Sequence, residues 1–171
     1  MSIEDILKEI DAYPCNLVEV TGGEPLVQKE SVQLLDALIE NGKSVLLETN
    51  GSMSIHSVPA DVVSIVDVKC PDSGSDNTFH RNNTKEIQSR VRENPGSCQL
   101  KFVLSSKNDY RWAGNFVIEK NFSRELPILF SPVHSRIVPA DLARWIMEDG
   151  LNVRLQLQLQ TTLWPDISRG V

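Results

Sequence analysis

The residues best suited to chemistry form one short string, Val20-Thr21-Gly22-Gly23-Glu24-Pro25. It follows an apolar, strand-like run, Leu17-Val18-Glu19-Val20, and precedes a helix-like run from Ser31 to Asn41. A strand, two glycines and a helix start make a turn whose backbone N–H groups can face a ligand. Glycine suits such a turn because it tolerates positive φ and lets a ligand approach the main chain. Pro25 removes a donor and fixes φ, which gives the turn a set shape. Glu24 adds a charge or an acceptor at the same mouth. An ordinary strand-to-helix loop would also accept Gly-Gly, so the signal lies in the whole Thr-Gly-Gly-Glu-Pro string.

Further polar strings follow later strand-like runs. These are Glu48-Thr49-Asn50-Gly51-Ser52, Lys69-Cys70-Pro71-Asp72-Ser73, Ser105-Ser106, Ser131-Pro132-Val133-His134, and Gln158 with Gln160. Any one of them is what a strand-to-helix loop ordinarily contains. Their joint position is the stronger observation, because a small-molecule site needs convergent polar groups. The three cysteines, Cys15, Cys70 and Cys98, are too far apart in sequence for a metal motif, and no ligand set for a metal is assigned. Their odd number excludes a complete disulfide framework. Cys15 and Cys98 read as small, reduced, partly buried side chains. His56, His80 and His134 stand alone, and no catalytic acid, base or nucleophile is assigned.

The elements needed to position these strings are legible. Ser2 can cap a helix over Ile3 to Ala12, with Glu4 and Asp5 matching its dipole. The spacing predicts further helices over Ser31 to Asn41, Thr84 to Glu93, Lys107 to Asn121 and Pro139 to Gly150. The last opens with proline and closes with glycine. Strands are predicted over Asn16 to Val20, Lys43 to Glu48, Val62 to Val68, Cys98 to Leu104, Pro127 to Phe130 and Leu151 to Leu157. Asp72 to Asn83 reads as a polar loop, and Gln158 to Val171 as a non-periodic tail. Strand and helix alternate throughout, which implies a parallel sheet. The continuous apolar run at Val45, Leu46 and Leu47 predicts strands covered on both faces. Periodicity leaves an open doubly wound sheet and a partial barrel equally available. Either puts ligands at the C-terminal strand ends.

The chain has 171 residues and a net charge of −6, with a pI near 5.1. That length suits one domain, residues 1–171, with a real core. The acidic balance argues against a phosphate-backbone-binding surface. No apolar run approaches a bilayer span, and the acidic start carries no signal core, so a cytoplasmic protein that engages neither nucleic acid nor membrane is expected.

Taken together, the strings resemble those of the 7-carboxy-7-deazaguanine synthase family within the radical S-adenosylmethionine superfamily of organic-radical-activating enzymes. The resemblance rests on Thr21 to Pro25, Glu48 to Ser52, Asp67-Val68-Lys69-Cys70-Pro71, Lys101-Phe102-Val103, Phe130 to Val133 and the ending Arg169-Gly170-Val171. It runs from about Leu17 to Val171. It implies a partial (β/α)6 barrel, here without its first strand and cluster loop. The implied reaction converts 6-carboxy-5,6,7,8-tetrahydropterin to 7-carboxy-7-deazaguanine with loss of ammonia, a lyase step toward queuosine in tRNA. Implied cofactors are S-adenosylmethionine, a [4Fe–4S] cluster and Mg²⁺, and the family implies a homodimer.

By the same resemblance, Gly22, Gly23 and Glu24 hold the amino end of S-adenosylmethionine. Asn50, Lys69, Cys70, Pro71, Ser73, Ser131, Pro132, Val133 and His134 line the rest of that cofactor. Thr21, Gln158, Gln160 and the carboxylate of Val171 face the pterin. Two departures stand out. The cluster-binding Cys-x₃-Cys-x₂-Cys-like string is absent, so this stretch reads as the larger, C-terminal part of such an enzyme, inactive alone. Gln160 stands where the family tends to carry histidine, and glutamine cannot titrate. The competing expectation is a cluster-free homologue that binds a nucleoside, a pterin or a partner through an open sheet edge. Another organic-radical-activating enzyme is a third.

Overall fold

A computed structural model describes residues 1–164 and Asp166. The chain begins with α1 (Ile3–Asp11), whose Ser2 hydroxyl accepts the Asp5 amide at 3.2 Å in a capping box. The strands are β1 (Leu17–Val20), β2 (Ser44–Thr49), β3 (Val63–Asp67), β4 (Cys98–Leu104), β5 (Ile128–Pro132) and β6 (Arg154–Leu155). The remaining helices are α2 (Ser31–Glu40), α3 (Asn83–Glu93), α4 (Lys107–Lys120), α5 (Pro139–Asp149) and α6 (Leu159–Leu163). No helix among the described residues is long and apolar enough to cross a membrane.

All six strands are parallel and lie in the order β1-β2-β3-β4-β5-β6. Every crossover therefore steps to the next strand in the same direction. Crossovers of one hand then stack their helices on one face and leave the other free, which is barrel topology. A doubly wound sheet would reverse its order partway. Strand order thus decides what periodicity left open.

The helix-covered face holds the core. Val45, Leu47, Val66, Leu100, Phe102, Leu104, Ile128 and Phe130 are buried against Leu35, Leu38, Ile87, Val91, Ala113 and Leu142. Phe102 and Phe130 meet edge to face at 5.5 Å between centroids. The other face is only partly covered. Along β4 the fully buried residues alternate with the half-buried Gln99, Lys101 and Val103. This corrects the expectation of two fully covered faces, and it leaves charged side chains along one side of the sheet.

Three further details differ from the sequence reading. Strand and helix do not alternate throughout, since a loop joins β2 to β3, packed through Ile55, Val58 and Val62 and tied down by α3. Asn83 donates to the carbonyls of Gly51 and Met53 and accepts the Ile55 amide. The Arg90 guanidinium donates to the carbonyls of Val58, Pro59 and Val62 at 2.8–3.0 Å. Second, β6 is two residues long, not seven, because only Leu129 and Phe130 pair with it. Third, the predicted loop after β3 contains two 3₁₀ turns, Pro71–Ser73 and Asp76–Thr78, and the predicted non-periodic tail contains α6.

Candidate functional site

A parallel sheet gathers its C-terminal strand ends on one rim. Gly23, Asn50, Lys69 and Ser131 follow or end β1, β2, β3 and β5, so all four lie there. Between the first three strands is a polar cleft of ≈ 160 Å³, lined by Thr21, Gly22, Gly23, Glu48, Thr49, Asn50, Asp67 and Lys69.

The loop after β1 is held by Glu24. Its carboxylate accepts the Thr49 hydroxyl at 2.8 Å, the Asn50 amide at 2.8 Å and the Leu26 amide at 3.1 Å. The Ser31 hydroxyl donates to the Pro25 carbonyl and fixes the far end of the loop. Both oxygens of Glu24 are therefore engaged within the chain, and this residue shapes the mouth. Gly22 has φ +146°, a conformation that favours glycine, and a side chain there would meet nothing within 4 Å. The turn thus presents bare backbone to open space. Asn50 accepts the Ser52 amide at 2.9 Å, while its Nδ2 lies 3.5 Å from the Gly23 carbonyl, too long for a strong bond.

Two ion pairs join cleft residues, one within the lining and one reaching it from β4. Lys69 Nζ lies 2.5 Å from Asp67 Oδ2, and Lys101 Nζ lies 2.6 Å from Glu48 Oε1. Asp67 stands beside Lys101, and Glu48 beside Ile65, two residues before Asp67, so Glu48, Asp67 and Lys101 share the open face.

The loop after β3 is braced from α4. The Asp109 carboxylate, 1 % exposed, accepts the Asp72 and Ser105 amides at 3.0 and 2.8 Å. The Ser73 hydroxyl donates to the Cys70 carbonyl at 2.6 Å. The Cys70 side chain is buried beneath this turn and does not line the cleft. Burial, reinforced by Asp109, Asp67 and Asp72, raises its thiol pKa, which keeps it protonated and unreactive.

A second cavity of ≈ 280 Å³ lies on the same rim beside β5, lined by Pro132, His134, Ile137, Val138, Leu157 and Gln158 among others. It is the more apolar of the two. Ser131 is buried at the end of β5, and the Val133 amide bonds the Leu104 carbonyl at 2.9 Å. Gln160 lies in α6 and lines neither cavity. Val171 lies outside the described residues.

The structure therefore joins Thr21, Gly22, Gly23, Asn50 and Lys69 in one cleft, and Pro132, His134 and Gln158 in another. Sequence reasoning gave no site role to Glu48, Asp67, Lys101 or Asp109, although the first three stand in strings that it singled out. For the first three a signal existed, since charge at alternate positions of an apolar strand marks an open face.

The cysteines do not suit an iron–sulfur cluster. Cys15 precedes β1 and is exposed, not partly buried as expected, while Cys98 opens β4 and is buried. Cys70 follows β3, at the opposite end of the sheet from both. Three thiolates so placed cannot converge on one cluster. Among the described residues no group of three His, Cys, Asp or Glu side chains is placed to hold a metal ion.

No family model matches the chain. The whole chain aligns at 37% identity with 79% of the 7-carboxy-7-deazaguanine synthase of Koribacter versatilis. It aligns at 36% identity with 76% of the enzyme of the same name from Chlorobaculum tepidum. Among solved structures, QueE from Escherichia coli superposes over 92% of this chain and 64% of its own, with a TM-score of 0.68 at 22% identity. Streptococcus suis SuiB bound to S-adenosylmethionine gives a TM-score of 0.62 at 17% identity, over 46% of its length. At such identities these two structures support the fold.

Proposed function

The chain belongs to the 7-carboxy-7-deazaguanine synthase family of radical S-adenosylmethionine enzymes, and we propose that its rim binds S-adenosylmethionine beside a carboxylated pterin. The observation that carries this reading is the convergence of Thr21, Gly22, Gly23, Asn50 and Lys69 on one cleft at the strand C-termini.

Each group has a fitting role. The Gly23 carbonyl, only weakly engaged by Asn50, accepts from the cofactor's ammonium group. Lys69 has two donors beyond the one given to Asp67, enough for a carboxylate. The apolar cavity at Pro132, Ile137 and Val138 takes the adenine, and His134 and Gln158 sit at its polar edge. The polar cleft and the apolar cavity share one rim, so a nucleoside–amino-acid ligand is taken to span both. Thr21, on the wall of the polar cleft, faces the pterin. The family's product, 7-carboxy-7-deazaguanine, then arises from the pterin by ring contraction and loss of ammonia.

The iron–sulfur cluster and Mg²⁺ belong to the family's chemistry, and the cysteines here supply no such centre. That observation favours a second reading of this stretch, in which it binds nucleoside and pterin without cleaving the cofactor. Isothermal titration of the 171-residue chain with S-adenosylmethionine, with and without pterin-6-carboxylate, tests the site. Saturable binding of both ligands is expected, and failure to bind either refutes the assignment. After treatment with iron, sulfide and reductant, 5′-deoxyadenosine at background level supports the second reading. Its formation above that level overturns it.

A further inference from the structure

The helix layer holds a cavity of its own. It measures ≈ 390 Å³ and lies at the seam between α4 and the end of α5, lined by Tyr110, Arg111, Gly114, Ile118, Asp149 and Leu151 among others. That volume is in the range of small-molecule sites. Arg111 and Asp149 both face it, yet no ion pair joins them to each other or to any other described residue. Asp149 is held in place, because the buried Tyr110 hydroxyl donates to its Oδ2 at 2.6 Å. Its Oδ1 accepts no hydrogen bond from the described residues. A cation and a carboxylate that share a cavity without meeting are complementary to a ligand that carries both charges.

The cavity also has an apolar notch. Gly114 is buried in the interior of α4, where glycine destabilises a helix relative to alanine. Packing does not require glycine at this position. A Cβ there would meet only Leu151 Cδ1, at 3.4 Å, and the residue is not left-handed. The missing side chain therefore keeps space open beside Leu151. Ile118, one turn further along the same helix face, is 65 % exposed and offers a second apolar wall.

We propose that this cavity binds a free α-amino acid with a branched aliphatic side chain, of leucine's class. The Arg111 guanidinium takes the ligand's carboxylate in paired hydrogen bonds, and Asp149 Oδ1 takes its ammonium group. The aliphatic side chain covers the notch at Gly114 against Leu151 and Ile118. Tyr110, by fixing Asp149 beforehand, lowers the ordering cost of binding. The site shares no lining residue with either cavity of the rim, so the proposal stands independently of the S-adenosylmethionine reading.

The test is amide chemical-shift mapping of the ¹⁵N-labelled 171-residue chain during titration with L-leucine, with melting temperature as the folding control. Saturable shifts should centre on Gly114, Asn115 and Leu151, spare Gly22, Gly23 and Asn50, and be complete below ~10 mM. L-Leucinamide, which lacks the carboxylate, and 4-methylpentanoate, which lacks the ammonium group, should each bind about tenfold more weakly or worse. Arg111→Gln, at an exposed position, should weaken leucine about tenfold with the melting temperature unchanged. Gly114→Ala should fill the notch and weaken leucine while the melting temperature holds or rises. No saturable shift, shifts centred on the strand C-termini, equal affinity for either truncated probe, or unchanged leucine affinity in either variant each overturn the proposal.

Discussion

Replacing Glu24 with alanine should unfasten the loop that carries the glycines. Three chain donors, the Thr49 hydroxyl and the Asn50 and Leu26 amides, lose a carboxylate partner. A hydrogen bond to a charged group contributes ~1.5–3 kcal/mol, and leaving a buried donor unpaired costs more than removing an exposed one. Thr49 is 1 % exposed, so its hydroxyl is the part water cannot rescue. Glu24 itself is half-buried, so water replaces part of the rest. The net loss should be about 2–4 kcal/mol. For a chain of this size that is a fall of roughly 5–15 °C in melting temperature. Glu24→Gln keeps the shape and one acceptor oxygen and should lose about half as much. Urea unfolding followed by tryptophan fluorescence and circular dichroism measures both. A loss below about 1 kcal/mol for the alanine variant would mean that the loop holds its shape without Glu24, and the account of the mouth would fail.

Other expectations follow from particular contacts. Gly51→Ala places a Cβ 2.9 Å from Val66 Cγ1 at φ +71°, so strain and overlap should cost roughly 2–4 kcal/mol in urea unfolding. Arg90→Met removes three donors to the carbonyls of Val58, Pro59 and Val62. It should lower stability by about 2–4 kcal/mol and speed hydrogen exchange in residues 51–62 more than elsewhere. Burial raises the thiol pKa of Cys70 and Cys98 in the folded chain, so the native state keeps protons that the unfolded chain releases above about pH 8.5. Their penalty is absent below that pH and grows above it, so the melting temperature should fall between about pH 8.5 and 10.5. The fall should be shallower in a Cys70→Ala, Cys98→Ala variant.

Much of this arrangement was legible because local signals agreed with the fold. Ser2 with Asp5, and Pro139 with Gly150, mark helix ends in sequence and cap them in the structure. β4 runs from Cys98 to Leu104, as its apolar stretch predicts. What escaped depends on distant partners. No helix was predicted over 50–62 and none forms, but nothing local says how that loop is ordered, because its order comes from Asn83 and Arg90 on α3. The brevity of β6 lies in its pairing, because only Leu129 and Phe130 of the five residues of β5 bond to it. Glu48 and Lys101 look like surface charges until register shows them meeting across β3. That Glu24 braces the loop was not legible either, because sequence does not reveal that Thr49 and Asn50 bond its oxygens.

The central claim is that one rim of the sheet, at the strand C-termini, binds S-adenosylmethionine. Amide chemical-shift mapping of the ¹⁵N-labelled chain during titration with S-adenosylmethionine tests it most directly. Shifts should concentrate at Thr21, Gly22, Gly23, Asn50, Lys69, Ser131 and His134. They should spare the opposite ends of the strands at Asn16, Lys43, Ser97 and Leu126. An absence of saturable shifts, or shifts centred on that opposite edge, would contradict the account.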